Sequence, residues 1–444
     1  MACYNSFAGE KIKRSTDTMR KEKCLFGITL ITTALGSLLT GCSSESDSDV
    51  VEIEVIQYKP EAVDIFEEME EAFNATHDDI HLTISSPSDA TTILQTRFIR
   101  EDYPDIIGIG GDVYYSYYVD AGILADISDY EGLSKINEAY LDILENLEFV
   151  PTDGTFGVPY VANAAGILYN VEMFEEHGWE VPTTWDELIA LCEEIESEGI
   201  LPFYYGYKDT WTCLAPWNAL AVSLAPSDVC QLVNKGETTF TAEYREVAEK
   251  ILTLLEYGED GAVGYGYNDA CTAFANGQSA MYTIGSYAIA QIKSVNPDME
   301  IGTFVMPASS DADENVLNSG IDLQFCVTEA CENKEAAYEV LDFFLEYENV
   351  QSYIDAQMAI PCLSEGDFTL ADELTGVIPY IEEGRMADFQ DHYYPSEMSV
   401  DALIQTLFVE KDVDSFLSKF DTDWVRYNRD IIQMVQDYEA ENGE

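Results

Sequence analysis

Few side chains in this sequence are arranged for bond-making chemistry. The four histidines, His77, His81, His177 and His392, are scattered, and neither a His-Glu-x-x-His zinc motif nor a Gly-x-Ser-x-Gly nucleophile elbow is present. With 84 Asp and Glu against 21 Lys and Arg, a pair of carboxylates flanking a glycosidic bond is the catalytic arrangement left open. An extracellular glycosidase is therefore the alternative from the enzyme class. His77-Asp78-Asp79-Ile80-His81 holds ligand-type residues. It falls where a helix gives way to a strand and reads as a solvated turn, so no metal site and no cofactor is expected. Gly110-Gly111-Asp112 is different, because it follows the buried strand expected at 105–109, and open α/β sheets hold ligands at the carboxyl ends of such strands. Its glycines match neither the dinucleotide fingerprint nor a P-loop.

The elements that must position Asp112 alternate. Residues 51–56 read as a strand, and Val63, Ile65, Phe66, Met69 and Phe73 behind Pro60 share one face of a helix. A short strand at 81–85, a helix at 91–100 and the strand at 105–109 continue the pattern. Further on, 165–169 is an apolar strand, and Thr184 with Glu187 makes a capping box that starts a helix over 185–195. A long amphipathic helix is expected from Lys334 to about Tyr347. This order predicts an α/β fold with helices on both sheet faces. Tyr114, Tyr115, Tyr117 and Tyr118 are expected to pack a helix, and Trp185, Trp217 and Trp424 to serve packing.

Composition narrows the function. An apolar fraction of 47% and an aromatic fraction of 12% exclude disorder. Residues 42–444 hold 15 Lys and Arg against 81 Asp and Glu, a formal charge of −66. A field of that sign repels nucleic acid, anionic lipid and phosphorylated ligands, and suits a neutral or cationic ligand. Cys192, Cys213, Cys230, Cys271, Cys326, Cys331 and Cys362 are odd in number and include no C-x-x-C pair. They read as small buried hydrophobes, with neither a disulfide framework nor a zinc site.

The amino-terminal 49 residues carry an address. Arg20, Lys21 and Lys23 precede the apolar stretch 24–38, which is too short for a membrane span and ends in Leu39-Thr40-Gly41-Cys42. That run resembles the lipobox of bacterial lipoproteins. The resemblance implies cleavage before Cys42, acylation of its thiol, and a protein held on the extracellular face of the cell membrane. Two chains on a diacylglyceryl group exceed the one-chain threshold for stable anchoring, at about 0.8 kcal/mol per buried methylene. Residues 1–41 are then a signal peptide, with Met19 the better initiator, and 42–50 a lipidated cysteine and flexible tether.

Five stretches in register behind that leader resemble family 1 extracellular solute-binding proteins of ATP-binding cassette importers, in particular their sugar-binding branch. They are Pro104-Asp105-Ile106-Ile107 with residues 121–127; residues 157–170, ending Ile167-Leu168-Tyr169-Asn170; residues 181–187; residues 277–292; and residues 333–344. The likeness implies the bilobal periplasmic-binding-protein-like fold of type II, two α/β lobes joined by a hinge with a ligand cleft between them. Lobe 1 would comprise 51–161 with about 307–363, and lobe 2 162–306 with about 364–444. It also implies a monomeric, non-catalytic receptor whose partners are a carbohydrate and two permease subunits. A polyamine or metal ligand is the alternative within the same class.

Carried over by position, the resemblance nominates Tyr58, Lys59 and Glu61 after the first strand, Asp112 as a carboxylate for hydroxyls, and Asn163 at the first hinge crossing. Trp211 and Tyr287 stand where the family places stacking aromatics, although Tyr287 replaces the usual Trp after Gly285-Ser286. Asp322 follows Gly320 and Ile321 at the start of the return strand. A sugar has an apolar C–H face and a rim of hydroxyls, and these residue types match both.

Overall fold

The structure, a computed structural model, describes residues 50–442. The leader, Cys42 and the tether as far as residue 49 lie outside the described residues. In chain order the strands are β1 (Val51–Gln57), β2 (Ile80–Ser85), β3 (Ile106–Ile109), β4 (Val158–Ala165), β5 (Ile167–Asn170), β6 (Leu201–Phe203), β7 (Ser279–Tyr282), β8 (Ile301–Phe304), β9 (Leu317–Val327), β10 (Ile360–Pro361) and β11 (Met386–Ala387). They form two sheets, one ordered β10-β4-β9-β3-β1-β2 with β11 paired to β9, the other β6-β7-β5-β8.

In the larger sheet β1 runs parallel to β2 and β3, whereas β9 lies antiparallel between β3 and β4. All four residues of β3 are buried, as a central strand covered on both faces requires. The helix Val63–Thr76 follows its apolar spacing and buries Phe66, Met69 and Phe73. Phe66 meets Phe325 of β9, Phe344 and Tyr353 with ring centroids 5.5–6.1 Å apart. Burying each such ring contributes about 1.5–3 kcal/mol. The smaller sheet has its own apolar cluster, in which Trp217 packs edge-on against Tyr244 and Phe416. Trp424 is buried there too, and Trp185 lies half-buried under the Lys250 ammonium, 4.9 Å from its ring. Tyr115 and Tyr118 are buried, and all seven described cysteines are buried free thiols.

Local chemistry explains where elements start and stop. The Thr184–Glu187 capping box is present and opens the helix Trp185–Ser197. The stretch expected as one strand at 165–169 is two: β4 ends at Ala165, Gly166 intervenes, and β5 begins in the other sheet. Consequently the chain crosses between sheets at Gly166, four residues beyond the boundary expected after 161. The helix expected over 334–347 stops at Phe344, because Glu346 takes an extended conformation (φ −64°, ψ 140°) and caps a second helix, Tyr347–Gln357. At the break the Phe343 carbonyl accepts from the Glu346 N–H at 3.1 Å and from Asn349 Nδ2 at 2.7 Å. Met386–Ala387, inside the stretch assigned from sequence to the second lobe, returns to pair with Leu317 and Asn318 of the larger sheet.

Candidate functional site

Five of the nominated residues converge at the end of β1. Gln57 is fully buried, and its amide accepts from the Lys59 N–H and donates to the Lys59 carbonyl, which fixes the turn that follows the strand. Lys59 Nζ then reaches Asp322 Oδ2 at 2.6 Å and Glu61 Oε1 at 3.2 Å. The Tyr58 hydroxyl donates to the Asp322 carbonyl. Asn163, paired with Gly320 across the β4–β9 ladder, donates from Nδ2 to Asp322 Oδ1 at 3.2 Å. Its own Oδ1 is enclosed and has no partner. Burial alone would lower the Lys59 pKa, but Asp322 and Glu61 outweigh it and raise it. Lys59 is therefore a committed cation, clamped by two carboxylates.

Asp112 sits across Gly110 from the Tyr58 hydroxyl. Its Oδ1 caps the helix Val113–Asp120 by accepting from the Tyr114 N–H at 2.9 Å. Burial pushes its carboxyl up to about 6; the His392 cation and the cap work the other way, and Asp388 and Asp391 add to the rise.

A third group was not anticipated from the sequence. Asp388 Oδ1 lies 2.8 Å from His392 Nδ1, while Asp388 Oδ2 is buried without a partner. A side chain at position 320 would collide with this pair, since a Cβ there would stand 2.3 Å from Asp388 Oδ1 and 2.9 Å from His392 Cε1. Glycine is needed for that close approach. Burial lowers the His392 pKa, but Asp388, Asp391 and Asp112 together push it up to about 10, so the imidazole is a cation at neutral pH. Asp391 is held by Asn218, whose Nδ2 donates to it at 2.6 Å. The spacing of Asp388 and His392, four residues apart, was the available signal for this pair.

The aromatic component is Trp211 and Tyr287, 43% and 37% exposed, with ring centroids 6.1 Å apart. Tyr267, also unanticipated, lies 5.0 Å from Trp211. Burial and then the nearby Asp391 raise the Tyr287 phenol pKa, which ties the aromatic pair to the acidic group. The arrangement offers accessible ring faces beside carboxylate acceptors, amide groups and two cations already paired to carboxylates. It suits a neutral, hydroxyl-rich ligand with an apolar face. The His77 ring, by contrast, stacks on Phe73 at 3.9 Å, away from any such group.

Two sheet-centred lobes with these side chains gathered between their elements define a solute-binding receptor. Residues 59–351 match the family of bacterial extracellular solute-binding proteins, and the chain belongs to that family. The multiple sugar-binding protein of Streptococcus mutans is 29% identical over 349 residues, covering 74% of this chain and 80% of its own length. The melibiose/raffinose/stachyose-binding protein MelE of Bacillus subtilis is 22% identical, covering 64% of this chain and 68% of its own. The apo form of RafE from Streptococcus pneumoniae superposes with a TM-score of 0.75 at 24% identity, over 88% of this chain and all of the other; a structure of RafE with raffinose gives 0.69.

Proposed function

We propose that this protein is an exported, lipid-anchored receptor that captures a neutral oligosaccharide of the melibiose, raffinose and stachyose type and delivers it to the permease of an ATP-binding cassette importer. The observation that carries the reading is the pair of exposed rings, Trp211 and Tyr287, with Asp391 beside Tyr287 and the Asp388–His392 pair and Asp112 grouped around Asp391. Rings take the C–H face of a pyranose and the carboxylates accept from its hydroxyls. The multiple-sugar, melibiose and raffinose binding named for the relatives supports the same ligand class.

The protein acts by binding and release. Asp322 is engaged by Lys59 and Asn163, Asp388 by His392, and Asp112 by its helix cap, so these carboxylates are orienting groups rather than an acid–base pair. A ligand that touches both lobes only when they are closed shifts the hinge equilibrium by its differential affinity for the closed state. Cys42 anchors the receptor near the permease, and the polar segment behind it gives reach.

Titration calorimetry of the purified full-length protein in detergent tests the ligand class, with melibiose, raffinose, stachyose and spermidine as probes. Binding of the sugars with no release of monosaccharide is expected; binding of spermidine alone, or hydrolysis, would overturn the reading. Fatty-acid labelling in cells tests the anchor, and Cys42→Ala should abolish the label.

A further inference from the structure

The aromatic surface does not end at the cleft. Phe203, Tyr205 and Tyr207 point inward and stack on one another at 5.7 and 4.5 Å. Between and beyond them Tyr204 is half-buried and Lys208 exposed, while Gly206 is buried. The backbone of Gly266 and Tyr267 lies directly on Gly206, where a Cβ would stand 3.0 Å from Tyr267 Cα and N. Lys208 N donates to the Tyr265 carbonyl at 2.9 Å, and Asp209 Oδ2 accepts from the Tyr267 N–H at 2.7 Å, so the overlay is fixed on both sides.

This crossing of two glycines sets two aromatic pairs next to each other. On one side Tyr267 meets Trp211, and through it Tyr287 in the cleft. On the other, Tyr265 meets Tyr204 with centroids 5.5 Å apart. Tyr265 and Tyr267 leave an extended segment at positions i and i+2, about 7 Å apart along the backbone. Among the described residues, the large exposed aromatic side chains include Trp211, Tyr265 and Tyr287, all of this group. Isolated exposed aromatics are ordinary, whereas two aromatic groups held side by side by one backbone crossing, one of them including the cleft rings, point to a binding surface. The exposed side chains of Lys208 and Asp269 flank it and supply a donor and an acceptor for hydroxyls.

We infer that Tyr265 and Tyr204 form an outer subsite, continuous with the Trp211–Tyr287 platform, that binds the distal residues of an oligosaccharide too long to be enclosed in the cleft. The inference rests on the carbohydrate reading of the cleft and adds a preference for length. Disaccharides fill the inner rings alone, and tetrasaccharides reach the outer pair.

Calorimetry of the full-length protein with melibiose, raffinose, stachyose and verbascose, two to five sugar residues in turn, tests it. The wild type should bind stachyose and verbascose more tightly than melibiose. Tyr265→Ala and Tyr204→Ala should each weaken the two longer sugars about tenfold, the loss of one aromatic contact, and leave melibiose unchanged; Tyr265→Phe, which keeps the ring, should retain wild-type affinity for all four. Equal weakening of every sugar would assign these tyrosines to packing and overturn the subsite. Wild-type affinities that do not rise with length, or longer sugars untouched by either variant, would overturn it while leaving the cleft intact. Failure of the wild type to bind any of the four would remove it together with the proposed ligand class.

Discussion

Asp112 is pulled two ways: its helix cap favours the carboxylate, while burial holds the proton up to about pH 6. The folded state therefore keeps a proton between about pH 4 and 6 that the unfolded chain has released. Stability from this group falls as pH rises through that window. Ligand binding responds in the opposite sense, because protonation removes the charge of Asp112 and turns one of its acceptor oxygens into a donor. Raffinose affinity should drop as pH falls through about 6 and level off below it, and Asp112→Asn should flatten the profile; calorimetry across pH 4.5–8 reads both. At Trp211 and Tyr287, exposure decides what truncation does. Trp211→Ala and Tyr287→Ala should each cost roughly thirtyfold in affinity at a nearly unchanged unfolding midpoint. Trp217→Ala, which empties a fully buried site, should instead lower stability by about 3–5 kcal/mol. Family likeness nominated Trp211 and Tyr287, which the structure leaves exposed and adjacent, and the packing roles of Trp217 and Trp424 were legible in the sequence. Tyr267 was not, because its place beside Trp211 depends on the Gly206–Gly266 crossing, a contact between segments some 60 residues apart.

Among elements, the stretch from β11 to Tyr394 joins the two lobes. On one side Asp388 and His392 press against Gly320 of β9, and on the other Gln390 accepts from the Tyr244 hydroxyl and Asp391 binds Asn218. Periodicity could not reveal it, since its turns of two to four residues have no apolar repeat and are held by long-range polar contacts. Strands and capped helices were readable for the converse reason: their signals are local, as the Thr184–Glu187 box shows. The single helix expected over 334–347 failed because its apolar face continues past the point where Glu346 breaks the backbone pattern. His392→Ala would leave the nearly buried Asp388 carboxylate without its cation. A loss of about 3–5 kcal/mol in urea unfolding is expected. Adding Asp388→Asn should recover most of it, because the cost belongs to the stranded charge; a double variant as unstable as the single would place the loss in packing instead.

For the molecule as a whole, the net charge of −66 on residues 42–444 acts on any ligand that approaches, and the cleft does little to reverse it. Lys59 is clamped between Asp322 and Glu61, and His392 is paired with Asp388, so neither cation is free to receive a phosphate. A phosphorylated sugar would have to shed its hydration against acids such as Asp391 and Asp112, with no guanidinium fork among the described cleft residues to compensate. Trehalose 6-phosphate and glucose 6-phosphate should therefore bind more weakly than their parent sugars. The gap should narrow as ionic strength rises from about 0.01 to 0.15 M, because the Debye length falls from about 30 to 8 Å and the distant acids drop out. What remains at high salt measures the cleft itself. A sugar phosphate that bound more tightly than its parent at either salt would mean that Lys59 or His392 exchanges its carboxylate for the ligand, and the neutral-sugar reading would fall with the electrostatics that support it.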